Sequence, residues 1–169
     1  VNAVGDAISV QLEFFAATGD PANLQEAQRL AGRSLSRYFN VTTGAINDEG
    51  FWAYELVDAL CNLTLIDGNP NWRARVVRAL QWLHDNRRDP NGHYDTLWGR
   101  GGLQSTPLAT WDLNDNAAVA RSFLHAALTE PVPGDFNADG TVDAADLARW
   151  IEGFGTATGA WLYQGDANR

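Results

Sequence analysis

The amino-acid sequence predicts an all-α protein made of repeated helical hairpins, followed by a short loop-and-helix segment. A unit of two helices, about 50 residues long, occurs twice and begins a third time. Apolar residues recur within each unit at helical spacing. Near the C-terminus, acidic and amide side chains alternate in a way that is typical of a calcium loop. Apolar residues make up 45% of the 169 residues, which is enough for a packed core.

The repeat is defined by its turns. Gly19 and Pro21 align with Gly68 and Pro70, which follow 49 residues later in each case. Each unit contains an apolar helix, a Gly-Asp-Pro or Gly-Asn-Pro turn, an amphipathic helix and a polar loop with a glycine. The two prolines stand where the second helices begin, a position that suits a residue with fixed φ and no N–H.

The two helices of a unit differ in their apolar pattern. The first helices, about 5–17 and 51–66, are apolar around most of their circumference, which predicts an inner, buried layer. The second helices, about 22–38 and 71–86, have a single apolar stripe and are expected to form the outer layer. Another inner helix is predicted at about 113–128, without an outer partner. Two and a half hairpins leave an open side, so the pattern favours a piece of a larger ring; a self-sufficient five-helix bundle is the alternative.

Composition excludes several classes of function. The formal net charge of −9 disfavours binding to nucleic acid or to an anionic membrane surface. No apolar run approaches the ~20 residues of a membrane span. Cys61 is the single cysteine and lies in an apolar stretch, which predicts an inert buried thiol. His84, His93 and His125 are too scattered to indicate a histidine metal site.

Three stretches carry a resemblance to a known family: "GDAISVQLEFFAATGDPANLQEAQRLAGRSLSRYF", "GFWAYELVDALCNLTLIDGNPNWRARVVRALQWLHDNRRDPNGHYDTLW" and "LNDNAAVARSFLHAAL". Together they resemble the C-terminal half of glycoside hydrolase family 76, the (α/α)6 α-1,6-mannanases. The resemblance covers about residues 2–128. It implies a partial (α/α)6 toroid and an α-mannan-like polysaccharide as substrate. The stretch "ATGDPANLQEA" is also typical of other (α/α)6 proteins, including sugar 2-epimerases.

The resemblance does not bring catalytic residues with it. Glycoside hydrolysis generally needs two carboxylates, and in the mannanase family these are adjacent aspartates in the first half of the ring. This chain contains no Asp-Asp pair. Asp48-Glu49 is the nearest equivalent, but its position does not match the family's pair, and carboxylates before a helix also favour its dipole. No residue of this chain is therefore expected to be catalytic.

Substrate contacts are expected near the starts of the inner helices, where the cleft of such a ring lies. That region includes the glycine-rich loop "LWGRGGLQSTPLATWDLND". Flat aromatic faces stack on sugar rings and neighbouring polar groups bind hydroxyls, although a tryptophan is more often a core residue. The candidate sugar contacts are Trp52, Trp98, Arg100, Trp111 and Asp112.

The stretch "DFNADGTVDAAD" has the spacing of a calcium loop. Calcium takes six to eight oxygen ligands, and alternation brings the side chains at loop positions 1, 3 and 5 around one centre. Gly140 permits the sharp turn at position 6. The candidate Ca²⁺ ligands are Asp135, Asn137, Asp139, Thr141 through its carbonyl, Asp143 and Asp146. A helix is predicted to start at Asp143.

A loop that ends in Asp146 rather than Glu, in "GDFNADGTVDAADLARWIEGFG", closely resembles a dockerin module with its EF-hand-like loop and helix. A dockerin has two such loops; Asp166 and Asn168 match positions 1 and 3 of a second loop, which the end of the sequence truncates. The expected organisation is a glycosidase-like domain at 1–130, a linker at 131–133 and a truncated dockerin at 134–169.

These inferences together predict a fragment of a secreted, extracellular polysaccharide-degrading enzyme. By resemblance, the dockerin implies attachment to a cohesin-type scaffold protein. Two alternatives stay open. One is a non-catalytic extracellular carbohydrate-binding or surface protein, and the other is a sugar 2-epimerase-like protein, disfavoured because such enzymes are usually intracellular and lack dockerins.

Overall fold

The structure is a computed structural model, and it describes residues 1–130, Gly134 and residues 141–153. The regular elements of this part of the chain are α-helices, with isolated bridges between loops. Their bounds are α1 (Asn2–Thr18), α2 (Pro21–Tyr38), α3 (Gly50–Asp67), α4 (Pro70–Arg87), α5 (Leu113–Leu128) and α6 (Ala144–Gly153).

The two hairpins, α1–α2 and α3–α4, are joined by turns of the same conformation. Gly19 and Gly68 end α1 and α3 with a φ of 68°, the left-handed region that favours glycine. Asp20 and Asn69 then cap α2 and α4, their side chains accepting hydrogen bonds from backbone N–H groups two residues on. The predicted repeat is therefore a structural repeat.

The inner layer consists of α1, α3 and α5, with α3 packed between the other two. Helix α2 packs outside α1, and α4 packs outside α3 with a smaller contact to α5. The centre of α3, including Leu56, Leu60 and Leu63, is fully buried. The predicted all-α arc of inner and outer helices is confirmed, and α5 has no outer partner among the described residues.

The long loops lie together at one end of the inner layer, where α3 and α5 begin. The loop after α2 is closed by an antiparallel bridge between Phe39 and Ile46, and the loop after α4 by one between Arg88 and Tyr94. A third bridge, between Glu49 and Leu97, joins the two loops. These bridges fix the loops beside each other around the ends of α3 and α5.

The two outermost helices of the inner layer, α1 and α5, carry exposed apolar side chains. On α1, Val10 and Phe14 are 49% and 54% exposed. On α5, Leu113, Leu124 and Leu128 are all more than half exposed. Exposed apolar stripes of this kind are normally covered by another element.

Helix α6 starts at Ala144, next to the predicted start at Asp143. The helix lies where the sequence predicts one, and the dockerin assignment of this segment stays a prediction. Asp135, Asn137 and Asp139, and the second-loop residues Asp166 and Asn168, lie outside the described residues. The domain boundaries at 130 and 134 stay a prediction. No described helix has the length and apolar character that crossing a membrane requires.

Candidate functional site

An aromatic cluster lies at the start of α3, at the end of the inner layer where the long loops meet. The rings of Phe51 and Trp52 meet edge to face with centroids 4.6 Å apart, and Tyr54 lies 6.4 Å from Phe51. Both Phe51 and Trp52 are 41% exposed. The predicted contact residue Trp52 is therefore accessible at the expected end of the fold.

A depression of about 190 Å³ lies between this cluster and the first half of α5. Its mixture of aromatic and polar groups is a lining of the kind that binds small polar ligands. The lining residues are Phe51, Tyr54, Asn114, Ala117, Ala118 and Arg121.

Arg121 supplies the positive charge of this depression, and Asp58 holds its side chain in place. Its Nε donates to Asp58 Oδ2 at 2.8 Å, and its guanidinium lies 4.9 Å from the centre of the Tyr54 ring. The hydrogen bonds to Asp58 raise the pKa of Arg121, so the side chain stays cationic. His125 approaches the other oxygen of Asp58, Nδ1 to Oδ1 2.7 Å, and its Nε2 lies 3.1 Å from Asn62 Oδ1. This network fixes the direction of Arg121.

Buried Asp115 joins α5 to the start of α3. Its Oδ1 accepts a hydrogen bond from the backbone N–H of Phe51 at 3.0 Å, and its Oδ2 accepts one from Thr96 Oγ1 at 2.7 Å. Glu49, the N-cap residue of α3, makes no capping bond with its side chain. Asp115 therefore caps α3 from a neighbouring helix and holds the two sides of the depression together.

Trp111 lies at the end of the long loop, immediately before α5. Its indole is stacked on the His93 imidazole, with ring centroids 4.3 Å apart and planes inclined by 10°. It is 48% exposed. Trp111 is therefore a second accessible aromatic group in the region that the sequence indicated.

The other predicted contacts have different environments. Trp98 is 2% exposed, and a Cβ on Gly50 would overlap its indole. Its faces are covered by the core, so this geometry does not support the predicted sugar contact at Trp98. Arg100 is exposed. Asp112 is exposed but caps α5, accepting a hydrogen bond from the N–H of Asn114 at 2.7 Å.

Asp48 and Glu49 precede α3, as the helix-cap interpretation requires. Glu49 is the N-cap residue, and Asp48 Oδ1 accepts a hydrogen bond from the Glu49 N–H at 2.8 Å. Neither group is paired with another carboxylate in a described hydrogen bond. The structure thus gives these residues a place at a helix terminus.

Part of the predicted calcium loop lies in the described segment. Asp146 is 2% exposed and accepts a hydrogen bond from the Asp143 N–H at 2.7 Å, while Asp143 accepts one from the Ala145 N–H. A Cβ on Gly134 would lie 3.2 Å from a methyl group of Val142, so the residues on either side of the loop are close together. Within 1–130, 134 and 141–153, no three His, Cys, Asp or Glu residues are grouped to hold a metal. Asp143 and Asp146 place carboxylate oxygens at the start of α6, and calcium binding by these residues stays a prediction.

Sequence reasoning missed the contributions of Arg121, Asn114 and His93. Arg121 is 63 residues from Asp58 and 67 from Tyr54, and no local motif reports such distant pairs. Asn114 lies inside the expected cleft loop, where no pattern distinguishes it from its neighbours. The sequence suggests a role for His93 only as a metal ligand, whereas the structure stacks its ring on Trp111.

The comparisons with known proteins agree with the helical architecture. A solved structure of a GH76 α-mannanase from Bacteroides thetaiotaomicron is similar to 75% of this chain, with 28% sequence identity and a TM-score of 0.68. The match covers 34% of that chain, so this protein spans about a third of its length. No family model matches the sequence, and neither does any curated protein. The likeness supports a GH76-like (α/α) fold and, at the level of the fold, a glycoside hydrolase-like protein.

Proposed function

We propose that the chain is part of a secreted glycoside hydrolase that acts on an α-mannan-like polysaccharide. In this proposal it forms the C-terminal part of the helical ring. The observation that carries the proposal is the structural likeness to an α-mannanase at 28% identity. The exposed apolar stripes of α1 and α5 agree with it, since further hairpins of a ring would cover them.

The role proposed for this chain is substrate binding. The depression beside Phe51 and Tyr54 offers aromatic surface, and Arg121 and Asn114 offer donors and acceptors for sugar hydroxyls. Hydrolysis needs two carboxylates placed on either side of the glycosidic bond. Because the sequence has no adjacent Asp pair of the mannanase type, those acids would come from another part of the protein.

A binding measurement with the full chain tests this role. Soluble α-1,6-mannan should slow the chain in affinity electrophoresis, and Tyr54→Ala should weaken that retardation by about tenfold, since a stacked ring contributes about 1–1.5 kcal/mol. Leu65→Ala, in the last turn of α3 and at the opposite end of that helix from the depression, is the matched control and should behave as the parent. A reducing-sugar assay should show no turnover. Retardation that is unchanged in Tyr54→Ala, or hydrolysis by this chain, would contradict the assigned role.

A non-catalytic carbohydrate-binding or surface protein is the second candidate. The same depression would serve it, since binding a sugar needs no catalytic carboxylates. The two candidates differ in the rest of the ring. An adjacent Asp pair at the start of an inner helix in the full-length reading frame would decide for the hydrolase, and a complete ring without one would decide against it.

We also propose that residues 134–169 belong to a dockerin module and bind one Ca²⁺ ion. The ligands would be Asp135, Asn137, Asp139, the Thr141 carbonyl, Asp143 and Asp146. The closeness of Gly134 to Val142, and the two carboxylates at the start of α6, support a loop closed around an ion. By resemblance, its partner would be a cohesin-type scaffold protein outside the cell.

Calcium titration by isothermal calorimetry tests the loop separately. One ion should bind per chain, and Asp135→Ala should reduce the affinity by at least tenfold because it removes one charged ligand. Glu13→Ala on α1 removes the same charge at a distance and should leave the affinity unchanged. Equal affinities for all three proteins would remove the metal assignment without affecting the mannan proposal.

A further inference from the structure

The stacked pair of Trp111 and His93 is built into the long loop by a single buried carboxylate. Asp89 is 3% exposed and accepts hydrogen bonds from the N–H groups of His93 at 2.8 Å and Leu108 at 2.9 Å. It therefore ties the beginning of the loop to a point three residues before Trp111. Its Oδ2 also lies 3.5 Å from His93 Nδ1, which orients the imidazole.

The backbone that follows Trp111 is fixed as well. Asp112 caps α5 through the N–H of Asn114, so the indole is held between a helix terminus and the residues that Asp89 fastens. The nearly parallel stack covers one face of the indole. Trp111 is still 48% exposed, so a large part of the indole that the stack does not cover is accessible to solvent.

Burial does not account for this arrangement. A tryptophan that served the core would be covered, as Trp98 is in the same loop at 2% exposure. A flat aromatic face that is held rigidly and left open is the type of surface on which a pyranose ring stacks with its C–H groups. Rigidity lowers the entropy lost on binding, which is the physical advantage of a backing ring.

We propose that His93 is a positioning residue, which backs Trp111 so that the open indole face forms a stacking platform for a sugar ring of a polysaccharide. The inference rests on the proposed polysaccharide binding. It adds a second contact point to the depression at Tyr54 and Arg121. Here His93 acts through its flat ring and does not touch the sugar itself.

The test uses the full chain with four variants and a panel of soluble polysaccharides: α-1,6-mannan, dextran, xylan and a mixed-linkage β-glucan. Affinity electrophoresis gives the dissociation constant of each pair. Trp111→Ala should lose about tenfold in affinity, which corresponds to about 1.4 kcal/mol and lies near the upper end of the ~0.5–1.5 kcal/mol of an aromatic stack. His93→Ala should lose about threefold to tenfold, because the indole is present but no longer held. His93→Phe should stay within twofold of the parent, as it keeps a flat ring in the stack.

The control and the spectroscopic readout separate positioning from general stability. Leu65→Ala should match the parent in every measurement. The indole N–H resonance of Trp111, assigned by its loss in Trp111→Ala, should shift on addition of the bound polysaccharide in the parent and in His93→Phe. A role of His93 through its bond to Asp89 would instead make His93→Phe as weak as His93→Ala, and this result would overturn the inference.

The remaining outcomes distinguish the inference from the proposed function. Mannan binding that Trp111→Ala and His93→Ala leave unchanged overturns the platform and keeps the mannan proposal. Binding of another polysaccharide, with the expected order of variants, supports the platform and overturns mannan as the substrate. A parent chain that binds none of the four overturns the platform.

Discussion

The two complete hairpins have the same turns and caps but differ in how deeply their inner helices are buried. Gly19 and Gly68 end the inner helices with the same φ, and an Asx residue caps each outer helix. Helix α3 is buried around most of its circumference, whereas α1 exposes Val10 and Phe14. Both helices are equally apolar in sequence, so the difference comes from their neighbours.

The number of neighbours explains the contrast. Helix α3 contacts α1, α2, α4 and α5, while the main contacts of α1 among the described helices are with α2 and α3. A helix that is apolar on most sides is expected to be covered by other elements. The exposed stripe of α1 therefore identifies a surface of the ring that the proposed additional hairpins would cover.

The largest expected effect comes from truncating the buried centre of α3. Leu60 is 0% exposed, so Leu60→Ala should lower the free energy of unfolding by about 2–5 kcal/mol. The matched change Phe14→Ala on α1 should alter it by less than about 0.5 kcal/mol. Urea unfolding of the full chain, followed by circular dichroism, measures both. A large loss for Phe14→Ala that depends on protein concentration would show that the α1 stripe is already covered by a second copy.

The second effect concerns the contact between the two inner helices. Gly5 lets α1 approach α3 closely, since a Cβ there would lie 2.6 Å from the carbonyl carbon of Glu55. Gly5→Ala should therefore destabilise the chain by about 1–3 kcal/mol. A Cβ on Gly32 in α2 would meet no atom within 4 Å. Gly32→Ala should therefore stabilise the folded chain by about 0.4–1 kcal/mol. If thermal unfolding showed that both variants change the stability in the same direction, the close approach of α1 to α3 at Gly5 would be refuted.

What the sequence could predict depends on how far apart in the chain the interacting residues are. The helices and turns were predicted to within three residues, because their signals are local: an apolar period, a Gly-Asx-Pro turn and an Asx cap. The site depends on pairs far apart in the chain, such as Asp115 with Phe51 and Asp58 with Arg121. No local pattern reports such pairs.

The tryptophans show the same limit within one loop. Trp98 and Trp111 are thirteen residues apart, and the sequence made both candidates for stacking on a sugar. The structure covers Trp98 beneath the start of α3 and leaves Trp111 half exposed on His93. Composition does not distinguish these outcomes, because the packing of the loop against the start of α3 determines which indole is covered.

The third effect concerns the equivalent caps of the two outer helices. Asp20 accepts a hydrogen bond from the Ala22 N–H at 2.9 Å, and Asn69 accepts one from the Asn71 N–H at 3.0 Å. Each change to alanine should cost about 1 kcal/mol, and the two costs should be equal. Urea unfolding of both variants checks this. A cost for Asn69→Ala several times that for Asp20→Ala would mean that the caps share the asymmetry of the inner helices.

The smallest expected effect is a dependence on pH at the turn of the second hairpin, where the equivalent turn of the first hairpin has no titrating group in that place. Thr18 and Asp67 occupy equivalent places, and each accepts a hydrogen bond from the N–H two residues later, in Asp20 and Asn69. Burial raises the pKa of Asp67 above its ordinary value, despite hydrogen bonds from the Trp72 indole, the Asn69 N–H and the Gln28 amide. The folded chain therefore binds the Asp67 proton more tightly than the unfolded chain does.

The sign of the pH dependence follows from that difference in proton affinity. The contribution of Asp67 to stability is greatest below about pH 4, falls as the pH rises through the raised pKa and is constant above it. Asp67→Asn removes the titrating group, so the stability of the parent minus that of the variant should fall over this interval. Thr18→Val is the control and should show a difference that does not vary with pH. A difference for Asp67→Asn that rises with pH would mean that its hydrogen bonds outweigh its burial, and that charge stabilises this turn.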